Sequence, residues 1–590
     1  MALQELQFKS GFFSDDTDRD VGTMGYWKDG DKVRFRHGLP ETIGGWEDSG
    51  SGAMVGTARG TVDWVSLRSE VFIAFGTSKK LYIWQGGQLF DITPIRASST
   101  INNNPFSMTD TLAVVTVTDT AHGAEDGAYV TFSGATAAGG ITIVGEYEIT
   151  YIDADSYTIT HSSPATSTTT GGGASVVAAY QINPGNVDSV QDVGWGVGGW
   201  GAETWGTPRS SSASVSAART WALWTWGEDL IASHLNGGIY VWDSSVGTGT
   251  RSVIIATAPT NNKSVMVSQE ARHLIALGAG GDPTFIQWCS SEDYNDWTAT
   301  TTNTAGDARV DLGSALVCGV RVRDQHLIFT DAGEYNMQYV GPPYTFSLKP
   351  IGTRGIIGPN AVAVHTGVAY WMGIASFYRY DGTVQVIPCP VFNTVFNDIN
   401  LLQRAKVWAT VDATFDEIWW LYCSAASDEV DRYVVYNVIE NHWVYGSLER
   451  TILVGDSDVI DTSYGVSSDG YLYYHNTGMT ADGADLEAFV ASGDVELNIK
   501  DNPVGNKFMH VSKVIPDFKT LSGDVTMTVT TKRYPQASET QSSGPHTITS
   551  STEFINPRLR GRQLSLRVDS TSAGWRMGVP RVQFIPHGRR

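Results

Sequence analysis

The chain has little charge, few cysteines, no long hydrophobic run and no heptad pattern. Charged residues make up 17% of its 590 positions, which excludes a disordered chain and a coiled coil. The four cysteines, Cys289, Cys318, Cys389 and Cys423, are widely and irregularly spaced with no CxxC pair. That argues against a zinc knuckle and a disulfide framework, and for reduced, mostly buried thiols in a protein made in a cytoplasm. The most inviting uncharged stretch, 356–378, contains Pro359, Asn360, His365 and three glycines and does not read as a membrane span. Met1 to Leu6 lacks the basic and apolar blocks of a signal peptide, so export by the standard route is not expected.

Cations are missing from one long stretch. Between Arg96 and Arg209 there is no Lys or Arg in 112 residues, yet 11 acids lie there, half of the net charge of −22. The opposite bias marks 558–590, with eight arginines against one acid, Asp569. A net negative chain does not coat nucleic acid with its whole surface, because phosphate binding needs positive charge at the contact. Such a chain can still let DNA slide past it. The segregation suggests an acidic part facing something that must not adhere and a basic part docking on an acidic neighbour.

Glycine supplies 63 positions, Trp, Tyr and Phe together 64, and apolar residues are 41% of the chain. This composition points to many short strands joined by tight turns around packed cores. One pattern recurs: a β-rich run, then a second run closing on an aromatic, as in Asp229-Leu230-Ile231-Ala232-Ser233 followed by Ile239-Tyr240-Val241-Trp242. The closing aromatics Trp242, Trp288, Tyr339, Tyr380, Tyr436 and Tyr474 stand 46, 51, 41, 56 and 38 residues apart, matching about 40–50 residues per four-stranded blade. With Trp84 there are seven landmarks. The expected fold is all-β: a propeller of six to eight blades, seven favoured, with an inserted small β module and a C-terminal β-sandwich-like domain.

The expected division is an N-terminal docking segment, 1–60; a first propeller portion, 61–108; the inserted module, 109–180; the remaining blades, 181–480; and a C-terminal domain with a basic end, 481–590. Between the insert and the next blade lies a Gly/Trp stretch holding Trp195, Trp200 and Trp205, read as a loop pinned by its indoles. Val391 to Ala405 is the one plausible short helix. Arg558, Arg560 and Arg562 share the parity of the buried-type residues Leu564, Leu566 and Val568, a conflict that a bulge at Gly561 would relieve.

Signatures of chemistry are thin. Ser291-Glu292-Asp293-Tyr294-Asn295-Asp296-Trp297 approaches the aspartate box of sialidase-type propellers but is one residue short, lacks the glycine and occurs once; it reads as a turn in which Asp293 and Asn295 cap backbone amides. The twelve histidines have no metal-ligand spacing, and GxSxG and GxxxxGK[ST] are absent. The acid run Asp15-Asp16-Thr17-Asp18-Arg19-Asp20 lacks the glycine and closing Glu of a calcium loop and reads as a solvated loop. No catalytic residue, metal site or cofactor is expected, and the chain does not read as an enzyme.

Gly11-Phe12-Phe13-Ser14, Tyr26-Trp27-Lys28-Asp29-Gly30-Asp31-Lys32-Val33-Arg34-Phe35-Arg36 and Pro40-Glu41-Thr42-Ile43-Gly44-Gly45-Trp46 resemble the opening of the tail hub, or nozzle, proteins of short-tailed bacteriophages, also called packaged-DNA stabilisation proteins. Arg560-Gly561-Arg562-Gln563-Leu564-Ser565-Leu566-Arg567-Val568 and Gly574-Trp575-Arg576-Met577-Gly578 are similar to the close of that family. The resemblance implies a non-enzymatic virion protein, made in the host cytoplasm. Six copies would form a ring that extends the DNA channel below the portal and its adaptor, contacts tail fibres or tailspikes, retains the packaged genome and releases it at ejection. Within that frame Asp110, Asp119, Glu125, Asp126, Glu146, Glu148, Asp153 and Asp155 are candidates for an acidic channel wall or rim, past which double-stranded DNA moves without tight binding. Trp195, Trp200 and Trp205 are candidates for a constriction. Lys32, Arg34, Arg36, Arg558, Arg560 and Arg562 are candidates for the subunit or adaptor interface. The alternative is a carbohydrate-binding or glycan-hydrolysing propeller, with exposed aromatics stacking on sugars.

Overall fold

The computed structural model describes residues 2–191, 215–457, 459–496, 507–586 and 588. The chain divides into two compact units, 51–353 and 1–50 with 354–590. Both are built almost entirely of antiparallel strands, most of them in small four-stranded sheets. None of the described helices is long and apolar enough to cross a membrane.

In the first unit four sheets follow one another as simple meanders, over 58–91, 221–254, 264–309 and 316–352. Their first strands, Ala58–Val65, Trp221–Trp226, Ser264–Ser268 and Leu316–Val322, lie side by side in chain order. Alternation puts large residues on both faces of the middle strands, and each sheet buries one face against the next. Trp64, Phe72, Trp221 and Trp242 fill the first gap; Trp226, Ile231, Leu274 and Trp297 the second; and Trp288, Ile328, Tyr335 and Phe346 the third. Trp64 and Phe72 meet the Trp242 ring edge to face, the geometry aromatic quadrupoles favour. The aromatic landmarks Trp84, Trp242, Trp288 and Tyr339 all lie on third strands of these sheets. Gly76 is required by this packing: a Cβ there would stand 2.2 Å from Cγ of Trp221. Gly76→Ala is therefore expected to displace Trp221 and lower stability by about 1–3 kcal/mol, read as an earlier thermal transition. An unchanged midpoint would count against this packing.

The insert leaves the first sheet after its outer strand, Gln88–Asp91, and forms two sheets that face each other. One contains Ile95–Thr100, Val177–Gln181, Tyr129–Ser133 and Gly145–Glu148; the other contains Thr150–Asp153, Ser156–Thr160, Val114–Thr118, Phe106–Met108 and Thr169–Gly171. Its core holds Phe106, Val115, Val117, Phe132, Tyr157 and Tyr180. The module thus begins at Ile95 rather than 109, because Ile95–Thr100 and Phe106–Met108, assigned by the sequence to the propeller, find their ladder partners inside the insert.

The second unit holds three further meanders, over 362–387, 408–447 and 452–475. The third has only three consecutive strands; its fourth is Trp46–Asp48, which pairs with Leu472–His475. Trp371, Trp420 and Trp443 are fully buried in this unit. The remaining strands mix the two ends of the chain in three sheets. Ala2–Glu5 pairs with Arg581–Pro586, Tyr26–Asp31 with Glu487–Ser492, and Leu39–Thr42 with Trp575–Met577. Segments 1–60 and 481–590 are therefore not two separate domains: early strands complete sheets whose other members come last in sequence.

Three local expectations need correction. The acid run does not stay a loop: Thr17 caps a short helix, Asp18–Met24, accepting a hydrogen bond from the Asp20 amide, and Asp18 and Asp20 favour its first turn. Within 391–405 the helix spans only Phe392–Phe396, followed by a 3-10 turn at Leu401–Lys406. The parity conflict near Gly561 is resolved by a change of sheet. Leu559–Gly561 pairs with Met509–Val511, whereas Gln563–Thr571 begins in another sheet beside Val525–Lys532. Leu564, Leu566 and Val568 are buried there.

Candidate functional site: a charged seam beneath an acidic sandwich

The insert meets the sheets of its own unit through a partly buried network of charges. Lys80, in the tight turn between the second and third strands of the first sheet, has a side chain only 4% exposed. Its ammonium pairs with Asp91 of the same sheet at 3.0 Å and with Glu146 of the insert, and sits 4.1 Å from the centre of the Tyr129 ring. Arg251, from the second sheet, spans the same two carboxylates at 3.1 Å each. The Gln181 amide donates to Glu146, and Lys79 pairs with Glu148. Burial pushes the Asp91 carboxyl up, but Lys80, Arg251 and hydrogen bonds from Thr93 outweigh it and hold the group below its usual value. Burial and the nearby Glu148 and Glu146 carboxylates raise the Tyr129 phenol to about 12. A cleft of about 670 Å³ opens beside the seam, lined by Lys79, Glu125, Asp126, Glu148, Thr160 and Asn186.

The other candidate acids gather mostly at one end of the sandwich and shape its turns. Asp119 accepts from the Tyr180 hydroxyl at 2.6 Å, Asp126 from the Tyr151 amide at 3.0 Å, and Asp155 from the Ala121 amide at 2.9 Å. Asp153 accepts from the Asp155 amide and the Ser156 hydroxyl, both at 2.9 Å; these bonds hold its carboxyl below the usual value. Glu125 accepts from Asn183, and Arg96 reaches this end by donating to the His122 carbonyl. Asp110 is exposed at the Thr168 side of the module. So the eight acids split: Glu146 and Glu148 anchor the insert, five shape one end of it, where Glu125 and Asp126 also line the cleft beside Lys79, and Asp110 stands apart.

The basic candidates also separate. Arg34 is 3% exposed and makes an internal ion triad, 3.3 Å from Asp412 and 3.2 Å from Glu417, over the ring of Phe415. It cannot be a subunit or adaptor contact, because its guanidinium is spent inside the unit. Lys32 pairs with Asp31 and donates to Ser447. Arg36 is exposed and its carbonyl accepts from Arg576. Arg558 is exposed, while Arg560 and Arg562 lie 4.7 and 4.9 Å from the Phe508 ring, and Arg562 lies 5.0 Å from the Tyr534 ring. Trp195, Trp200 and Trp205 lie outside the described residues.

Sequence reasoning missed the seam and the triad. Their partners are far apart in the chain, as Arg251 and Asp91 or Arg34 and Glu417 are. The one available signal was Lys79-Lys80, two cations in a turn of the last sheet before a stretch without any. The segment resembling an aspartate box is a turn: Asp293 accepts from the Asn295 amide at 2.9 Å, and the Trp297 indole donates to the Tyr294 carbonyl. All four cysteines are free thiols, and burial raises Cys289, Cys318 and Cys389 to about 12.

The strands and their pairing define the class: an all-β, propeller-like protein of small four-stranded sheets. No family model and no curated protein matches the chain. Among solved structures it is similar to the phage phi92 endosialidase at 10% identity, over 66% of this chain and 53% of that one, with a TM-score of 0.18. BamB from Moraxella catarrhalis is 12% identical over 43% of this chain and 81% of its own, with a TM-score of 0.25. The extracellular domain of BT4673 from B. thetaiotaomicron is 9% identical over 94% and 86%, also at 0.25. Likenesses this distant assign no activity.

Proposed function

We propose that the chain is a structural virion protein: a tail nozzle or hub subunit of a short-tailed phage, whose ring extends the DNA channel, retains the genome and lets it pass. In this reading each meander is a propeller blade, of six to eight with seven favoured, and Trp46–Asp48 completes the blade over 452–475. The resemblance of the chain's two ends to that family supports it. The observation that carries it is the seam. The sandwich has no Lys or Arg from 97 to 181, so its acids are held by Lys79, Lys80 and Arg251 of the neighbouring sheets and by nearby polar groups. This is a fixed acidic body whose one cation, Arg96, is turned onto the His122 carbonyl and the Tyr180 ring. DNA carries one charge per about 1.7 Å of duplex, and a wall of this sign repels it instead of holding it at every step.

The test is ejection from phage carrying Asp110→Lys, Ser107→Lys and Ser167→Lys together, all exposed on the Thr168 side of the module. Slower genome release, with a salt dependence steeper by up to about three phosphate contacts, is the expected outcome. Ejection kinetics identical to wild type would remove the acidic module from the channel.

A further inference from the structure

The outer side of the terminal four-stranded sheet carries an unusual mixture of groups. Ladder partners share a face of a sheet, and here Leu3 stands opposite Gln583, while His510 stands between Ile585 and Arg560. Leu3 is 53% exposed, Ile585 38% and nearby Tyr534 55%. Around them stand Arg558, the Arg560–Phe508–Arg562–Tyr534 ladder, and Lys513 stacked 3.6 Å from the ring of Phe554. The acid Glu5 on this face pairs with Arg581 at 3.0 Å. Arginine and tyrosine with exposed aliphatic residues is the make-up of protein interface centres.

The acidic tip of the sandwich has the complementary make-up. Asp119, Glu125, Asp126, Asp153 and Asp155 cluster there beside Tyr151 and Ile152, which are 45% and 51% exposed. Their edge strand, Thr150–Asp153, is exposed at all four positions.

We propose that the basic-aromatic face of one copy docks on the acidic tip of the sandwich of a second copy, head to tail. The proposal rests on the ring-forming reading above and names the surfaces that make the ring. Two different patches in contact form a heterologous interface, the kind that generates rings when the rotation closes. Opposite charge steers the encounter and fixes the partner, while Tyr151 and Ile152 against Leu3, Ile585 and Tyr534 supply apolar burial.

The experiment uses the full chain in sedimentation velocity, with variants that reverse each face. Arg558→Glu/Arg560→Glu alters the basic face, and Arg558→Glu/Ile585→Glu is a second version confined to exposed positions. Ile152→Lys/Ala154→Lys alters the tip and leaves its five carboxylates in place. Wild type is expected to assemble at about 0.05 M salt and to weaken at about 0.5 M, where the screening length falls several-fold. Each variant alone should associate at least tenfold more weakly at an unchanged melting temperature, and an equal mixture of a basic-face and a tip variant should recover assembly. Undiminished assembly of every variant overturns this interface and leaves the ring reading standing. Failure of the mixture to recover overturns it too, as does capture of duplex DNA by the basic face in place of a second copy. A wild-type chain that stays monomeric at about 50 µM, well above a typical working Kd, overturns the self-docking and the ring reading together.

Discussion

Replacing Arg34 by methionine is expected to cost about 3–5 kcal/mol, the usual effect of stripping one partner from a buried ion group. Asp412 and Glu417 would be left facing each other with side chains 5% and 1% exposed. Burial already raises Glu417 to about 7, with Arg34 pulling it down and Asp412 pushing it up; burial likewise raises Asp412. Because the folded value of Glu417 lies above the usual 4.5, the native chain binds more protons than the unfolded one between those pH values. Stability of this unit therefore falls as pH rises from about 4.5 to about 7, by roughly 3 kcal/mol. The damage from Arg34→Met should consequently be larger at pH 8 than at pH 5. Glu417→Gln should flatten the slope, because the amide still accepts from Arg34 and from the Trp419 indole, which lies 3.1 Å from the carboxylate. Thermal unfolding followed by tryptophan fluorescence at the two pH values checks this. A small and pH-independent effect of Arg34→Met would show that the triad does not hold the strand Val33–Arg36 in place.

The second large effect is expected at the seam. Lys80→Met leaves Asp91 and Glu146 sharing Arg251 alone, and should weaken docking of the sandwich by about 2–3 kcal/mol, less than for full burial because both carboxylates are partly solvated. Limited proteolysis at the two connections, 92–95 and 182–186, should then accelerate roughly 30–100-fold. The pH sign is opposite to that of the triad. Asp91 is held below 3.8 in the folded chain, so its contribution is complete above that pH and is lost as pH falls through the depressed value. Acid should open the seam, while alkali loosens the triad. Cleavage rates that Lys80→Met leaves unaltered would mean that apolar contacts hold the insert unaided.

Particular residues show how much was readable beforehand. The closing aromatics marked third strands because a strand packed between two neighbours must carry large side chains at a fixed place in its repeat, and that place survives in one dimension. The insert was visible through its missing cations, although its first two strands were not: Ile95–Thr100 has one partly covered residue in six and looks like a loop until its partner, Val177–Gln181, is known. Lys32, Arg34 and Arg36 read alike in sequence, as one basic face of a strand. In the fold they diverge: Arg34 is buried with Val33 and Phe35, Lys32 is half-buried and paired with Asp31, and Arg36 is exposed.

Composition and periodicity determined by themselves that this chain is all-β, that its sheets are small and repeated, and that its charge is parted into an acid-only stretch and a basic end. These are local properties, set by propensity and by alternation within a few residues. Which charges would be neutralised was decided only by the tertiary structure. Lys80 meets Glu146 and Arg34 meets Glu417 through chain separations that no local rule encodes, and a charge becomes structural only when the fold removes its water and supplies a partner.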